Sequence, residues 1–166
     1  MYSVNEETIQ RKKGKNMNIF QEIEGIFEEN GIPYTSEYLE SENRWVYKTN
    51  EEMIDAGITP DNVMLDFILN EHLEALFLGM IRIPHHKRGL GIGEKLVRSL
   101  KNYVKEHHWI IILESAPENL IFWQKMHFST FLFESYGFYM MGYGAKNKLY
   151  YKVIWQQFRK ELYSNV

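Results

Sequence analysis

The segment Ile83 to Leu96 reads I-P-H-H-K-R-G-L-G-I-G-E-K-L. Gly89, Gly91 and Gly93 follow the cations Lys87 and Arg88, and the apolar positions Ile92, Leu96, Val97, Leu100, Tyr103 and Val104 then recur at helical spacing. Few structures accept that order. Glycine permits positive φ and leaves no Cβ in a ligand's path. The first N–H groups of a helix have no intrahelical acceptor, and together with the positive end of the helix dipole they collect anions. The segment reads as a phosphate-binding turn between a strand and an amphipathic helix.

Spacing narrows the ligand. A P-loop requires G-x-x-x-x-G-K-[ST], and no Lys-Ser or Lys-Thr pair stands there. The dinucleotide fingerprint G-x-G-x-x-G puts its third glycine where this chain has Glu94 and runs its strand directly into the first glycine. Here Pro84-His85-His86-Lys87 intervenes. The same spacing argues against a nicotinamide-binding oxidoreductase, for which Glu114 would be the carboxylate after a strand. What remains is R-x-x-G-x-G at Arg88, Gly91 and Gly93, between a strand over Leu78 to Pro84 and a helix, with another strand at Trp109 to Leu113. This order resembles the acyl-CoA-binding motif of the GNAT superfamily of N-acyltransferases. Further on, Phe122-Trp123-Gln124-Lys125-Met126-His127-Phe128 is similar to that family's F-[YW]-x-K-x-G-F segment, with His127 in place of glycine. The turn there must be made by a residue that tolerates the left-handed region less readily. The resemblance spans Leu78 to Phe128.

The resemblance implies an α/β fold with a central mixed, mostly antiparallel sheet, splayed fourth and fifth strands, and flanking helices. It implies an N-acetyltransferase that moves an acetyl group from acetyl-CoA to a primary amine by direct attack in a ternary complex. Ile81, Arg82 and Ile83 would offer a strand edge to the pantetheine amides. The N–H groups of Gly89, Leu90, Gly91, Ile92, Gly93 and Glu94 would hold the pyrophosphate, helped by Lys87, Arg88 and Lys95. Asn119 and Trp123 complete the implied cofactor contacts. Glu114, at the end of the fifth strand, matches the position of a general base, with Asp66 and Glu74 as alternatives. Many family members carry a tyrosine where this chain has Trp123, and an indole N–H donates a hydrogen bond without being a usable acid. The acid role is therefore open to Tyr136, Tyr139, Tyr143 or water. The alternative reading is a non-catalytic module of the same fold that binds or senses acyl-CoA.

Composition excludes other classes. The 166 residues, 45% hydrophobic and 15% aromatic, suffice for one domain with a sizeable core. A net charge of −3 and pI of 6.1 provide no basic field for nucleic acid. The absence of cysteine removes disulfides, a thiolate nucleophile and zinc–thiolate sites. His85-His86 and His107-His108 are adjacent pairs that point apart, so no metal is expected; His86 and His127 read as solvated loop residues. No apolar run is long enough for a membrane span and no apolar signal region leads the chain, so a cytoplasmic protein is expected. Residues 1–16, with the basic run Arg11-Lys12-Lys13-Gly14-Lys15, read as a mobile tail, and 17–166 as a single acyltransferase domain. The expected partner is a small-molecule or peptide amine acceptor, with no membrane or nucleic acid; a homodimer is allowed.

Ile19, Phe20, Ile23, Ile26 and Phe27 predict a first helix, stopped by Asn30-Gly31 and Pro33. Arg44 to Lys48 predicts a short strand and Glu51 to Ala56 a helical turn, in a stretch, Tyr34 to Pro60, assigned to acceptor specificity. Val63 to Leu69 and Leu76 to Pro84 predict a hairpin about Asn70-Glu71-His72. Pro117 opens a helix over Glu118 to Met126. Phe131 to Met141 and Leu149 to Trp155 predict strands around Gly142-Tyr143-Gly144, and Trp155, Phe158 and Leu162 a closing helix.

Overall fold

The structure, a computed structural model, describes residues 19–51, 53 and 62–164. The tail assigned to 1–16 and most of the helical turn assigned to Glu51 to Ala56 lie outside them. Helix α1 (19–29) is followed by β1 (Thr35–Leu39), β2 (Arg44–Lys48), β3 (Val63–Asn70) and β4 (Ala75–Ile81). Then come α2 (Ile92–His107), β5 (Ile110–Ser115), α3 (Leu120–Lys125), β6 (Ser129–Phe133), β7 (Tyr139–Tyr143) and α4 (Lys148–Ser164). The strand order is β1-β2-β3-β4-β5-β7-β6. The β4–β5 pair is parallel, while β1–β2, β2–β3, β5–β7 and β6–β7 are antiparallel. This is the mixed, mostly antiparallel sheet expected of the chain. The described residues form two units, one holding those up to Ile68 with Gly79–Tyr103, the other Leu69–Leu78 with those from Val104 to Ser164.

In the first unit, α1 buries Phe20, Ile23 and Phe27, and the Phe20 ring lies 4.2 Å from that of Trp45 on β2. The helix ends as its sequence directs. Gly31 adopts φ +64°, its N–H donates to Glu28 O at 3.1 Å, and the Ile32 N–H donates to Phe27 O at 2.9 Å, which satisfies the last carbonyls of the helix. The hairpin strands meet at a four-residue turn, and β4 stops at Ile81, short of Pro84.

The second unit corrects two expectations. The β6–β7 turn lies at Glu134–Phe138, with Glu134 N–H donating to Phe138 O at 2.8 Å and Gly137 at φ +94°. Gly142 and Tyr143 are inside β7. Residues Leu149 to Trp155 are not a strand but the first half of α4. Their aromatic and β-branched content suggests β structure, yet the buried side chains Tyr151, Ile154 and Phe158 have helical spacing. Asn147 Oδ1 accepts the Tyr150 N–H at 3.1 Å as an N-cap. Phe158 stacks on Phe77 of β4 with ring centroids 3.7 Å apart.

Candidate functional site

In the first unit the glycine turn grows out of the end of β4. Arg82 N–H donates to Met64 O of β3 at 2.7 Å. Backbone polar groups alternate sides along a strand, so those of Ile81, the last residue of β4, face away from β3. The β4–β5 ladder runs from Ala75↔Ile110 only to Leu78↔Leu113. Beyond buried Pro84 a single 3₁₀ turn, His85–Lys87, leads to Arg88.

The three glycines have two different roles. Gly89 and Gly91 lie at φ +82° and +77°, with open space where a Cβ would stand. Leu90 between them is 60% exposed. Gly93 has no positive φ; it sits in the first turn of α2, where a Cβ would be 3.8 Å from the Ile83 side chain. The Lys95 N–H is the first to close back, onto Gly91 O at 3.1 Å. The preceding first-turn donors, at Ile92, Gly93 and Glu94, have no acceptor within the helix. Glu94 would oppose an anion there, but its side chain pairs with Arg98 at 2.6 Å, one turn toward the C-terminus. An exposed left-handed turn feeding a 16-residue helix suits a pyrophosphate.

Of the cations assigned to the phosphates, Arg88 is bonded to the backbone and Lys87 lies near the end of α1. Arg88 Nε donates to Ile83 O at 3.0 Å, and Lys87 Nζ lies 3.6 Å from where a Cβ on Gly31 would be, at the C-terminal end of α1, where the helix dipole favours a cation. Lys95 is exposed.

In the second unit Glu114 is exposed on β5, opposite Met140 of β7. Its Oε2 accepts the Tyr136 hydroxyl at 2.7 Å. That bond, with a smaller contribution from desolvation, pushes the Tyr136 phenol up to about 12. Glu134 and Arg159 also act electrostatically on Tyr136, in opposite senses. Tyr139 stands opposite Ser115, its ring 4.7 Å from that of Phe133, and the Tyr143 ring packs 5.5 Å from Phe128. Of the three tyrosines considered as acids, Tyr136 is the one bonded to Glu114.

The alternative bases are occupied otherwise. Asp66 receives Arg44 Nε at 2.8 Å and Nη2 at 2.5 Å, a bidentate pair that holds the Arg44 guanidinium above its ordinary range. Gly79 on β4 leaves the room, since a Cβ there would lie 3.4 Å from Asp66 Oδ2. Arg44 was not singled out in the sequence because its partner is on another strand. Glu74 is in the β3–β4 turn at φ +52°, not on a strand.

Trp123 is 6% exposed, with its ring 4.9 Å from Phe122 and 5.2 Å from Phe128. Its environment is aromatic packing. Asn119 is exposed at the start of α3. His127 adopts φ +69°, taking the left-handed position that glycine would fill. Among the described residues no group of three or more His, Asp or Glu side chains is placed to hold a metal ion, and no helix is long and apolar enough to cross a membrane.

A mixed sheet with a parallel β4–β5 pair and a glycine turn opening α2 is the arrangement that the resemblance to the GNAT superfamily implies. No family model and no curated protein matches the sequence. Among solved structures the chain is similar to Tetrahymena GCN5, at 10% identity and a TM-score of 0.44 over 78% of this chain and 88% of that one. It is similar to a candidate GNAT-family acetyltransferase from Desulfovibrio desulfuricans at 12% identity and 0.45, over 61% and 69%. A third similarity, at 17% identity and 0.41 over 80% and 94%, is to the NatC complex bound to Gag peptide and CoA.

Proposed function

We propose that this chain is an N-acyltransferase that moves an acetyl group from acetyl-CoA to a primary amine. The observation that carries the reading is the exposed Gly89–Gly91 turn that opens α2, reached from the end of β4 through Pro84 and one 3₁₀ turn. The turn suits a pyrophosphate, and the strand end suits the amides of a pantetheine arm. In the reaction the amine nitrogen bonds to the thioester carbonyl carbon as the carbon–sulfur bond breaks. Glu114 takes the proton that the amine gives up, directly or through water. Tyr136 holds Oε2 and leaves Oε1 as the accepting oxygen. With its phenol raised to about 12, Tyr136 is a weak donor to a thiolate whose conjugate acid lies near about 8.5. The proton passes from Glu114 through water to the leaving sulfur, and Tyr136, whose hydroxyl is committed to Glu114, is a positioning residue.

Thermal unfolding with CoA and with NAD, followed by a screen of amines with detection of free CoA thiol, tests the reading. CoA at ~100 times its dissociation constant should stabilise the fold by roughly 2.7 kcal/mol, and at least one amine should release thiol from acetyl-CoA. A shift with NAD and none with CoA would sink the proposal. Binding of CoA with no turnover on any amine would leave the sensing module, which the burial of Trp123 without a tyrosine acid at that position favours.

A further inference from the structure

The second unit contains a half-open cavity of about 540 Å³ where α2 passes into β5 and β7 passes into α4. It lies at the C-terminal end of α2, whereas the glycine turn leads the N-terminal end. Lys105, His108 and Lys146 line it, and among the described residues no Asp or Glu does. In a chain of net charge −3, two lysines lining a concave surface are a local excess of positive charge that outweighs the roughly half negative charge at the C-terminal end of the α2 dipole and favours an anion. Trp109, Tyr143 and Tyr150 line the same cavity.

Backbone conformation fixes this shape. His108 takes φ +58° and the Trp109 N–H returns to Val104 O at 2.8 Å, so α2 ends abruptly. Gly144 takes φ +104°, and a Cβ on it would come within 3.0 Å of Trp109 O. The two chain reversals therefore meet closely, with Lys105 in the last turn of α2 and Lys146 in the segment after Gly144. The volume is in the range of small-molecule sites, which combine ring surface with a few polar groups.

We propose that this cavity binds a monoanionic or dianionic ligand bearing a planar ring, of the nucleoside monophosphate class. The phosphate would meet Lys105 and Lys146, with His108 as a further hydrogen-bonding partner, and the base would lie on the aromatic residues, which stack any base without reading its edge. The site is independent of the proposed acyl-transfer reaction.

Titration of the full chain with adenosine monophosphate, followed by tryptophan fluorescence and calorimetry, tests this. Saturable binding is expected, tighter than that of inorganic phosphate or adenosine alone. Lys105→Ala with Lys146→Ala should weaken it at least tenfold at constant ionic strength and leave CoA binding unchanged; both lysines are exposed, and unchanged melting confirms a folded variant. Lys146→Gln alone should weaken it in the same direction. Absence of saturable binding overturns the proposal, as does binding that survives the lysine substitutions or that inorganic phosphate matches. Binding that CoA displaces and Gly91→Asp abolishes also overturns it, because the nucleotide then sits on the glycine turn.

Discussion

At the scale of single residues, three carboxylates that look alike in the sequence are separated by their partners. Asp66 has both oxygens on Arg44, Glu74 makes a turn in the left-handed region, and Glu114 keeps one oxygen on Tyr136. An acid–base role needs an oxygen that can accept a proton, and Glu114 fits that requirement best. Glu114→Gln keeps the shape and the bond to Tyr136 while removing basicity. The variant should bind acetyl-CoA as before and lose roughly 10²- to 10⁴-fold in turnover at neutral pH. The deficit should shrink as pH rises and free amine becomes abundant without a base. Steady-state rates across pH decide this, and unchanged turnover at neutral pH would clear Glu114.

At the scale of elements, α4 shows how a helix can be hidden by its own composition. Tyr150, Tyr151, Val153, Ile154 and Trp155 are strand-forming types, and only the spacing of the buried Tyr151, Ile154 and Phe158 marks the helix. The helix lies against β7 at a glycine chosen for space, since a Cβ on Gly142 would overlap the Tyr151 ring. Gly142→Ala should therefore push α4 off the sheet and cost about 1–3 kcal/mol of stability, measured by denaturant unfolding. Gly91 has the opposite reason for being glycine, with open space at its Cβ and a positive φ.

At the scale of the whole molecule, the tyrosines set an alkaline limit. Burial, first among several causes, raises Tyr34, Tyr47 and Tyr151 above the ordinary phenol value, and the bond to Glu114 raises Tyr136. The folded state thus holds phenolic protons more tightly than the unfolded chain. Where the unfolded chain has lost protons that the native state retains, stability falls with rising pH. This contribution is fully present below pH ~10 and is lost progressively as pH climbs through the raised folded values. Melting temperatures followed from neutral to strongly alkaline pH should decline above that point, and phenolate absorbance should rise cooperatively with unfolding.

The sequence by itself determined the glycine turn before α2, since positive φ at two positions before a helix leaves little choice but glycine, and it determined α1 with its Gly31 stop, β2 and the β3–β4 hairpin. It also marked the strained position at His127, where a missing glycine could be seen without a structure. What tertiary structure decided were the long-range pairings. Arg44 with Asp66 spans 22 positions, as does Tyr136 with Glu114, and neither separation has a local signal. Burial on both faces of β5 made Ile110 to Leu113 a plain apolar run, so only the sheet registers show which face each residue occupies. The turn at Glu134–Phe138 was obscured because a run of aromatics continues through it, and the α4 helix because packing against β4 and β7 overrides its local preferences.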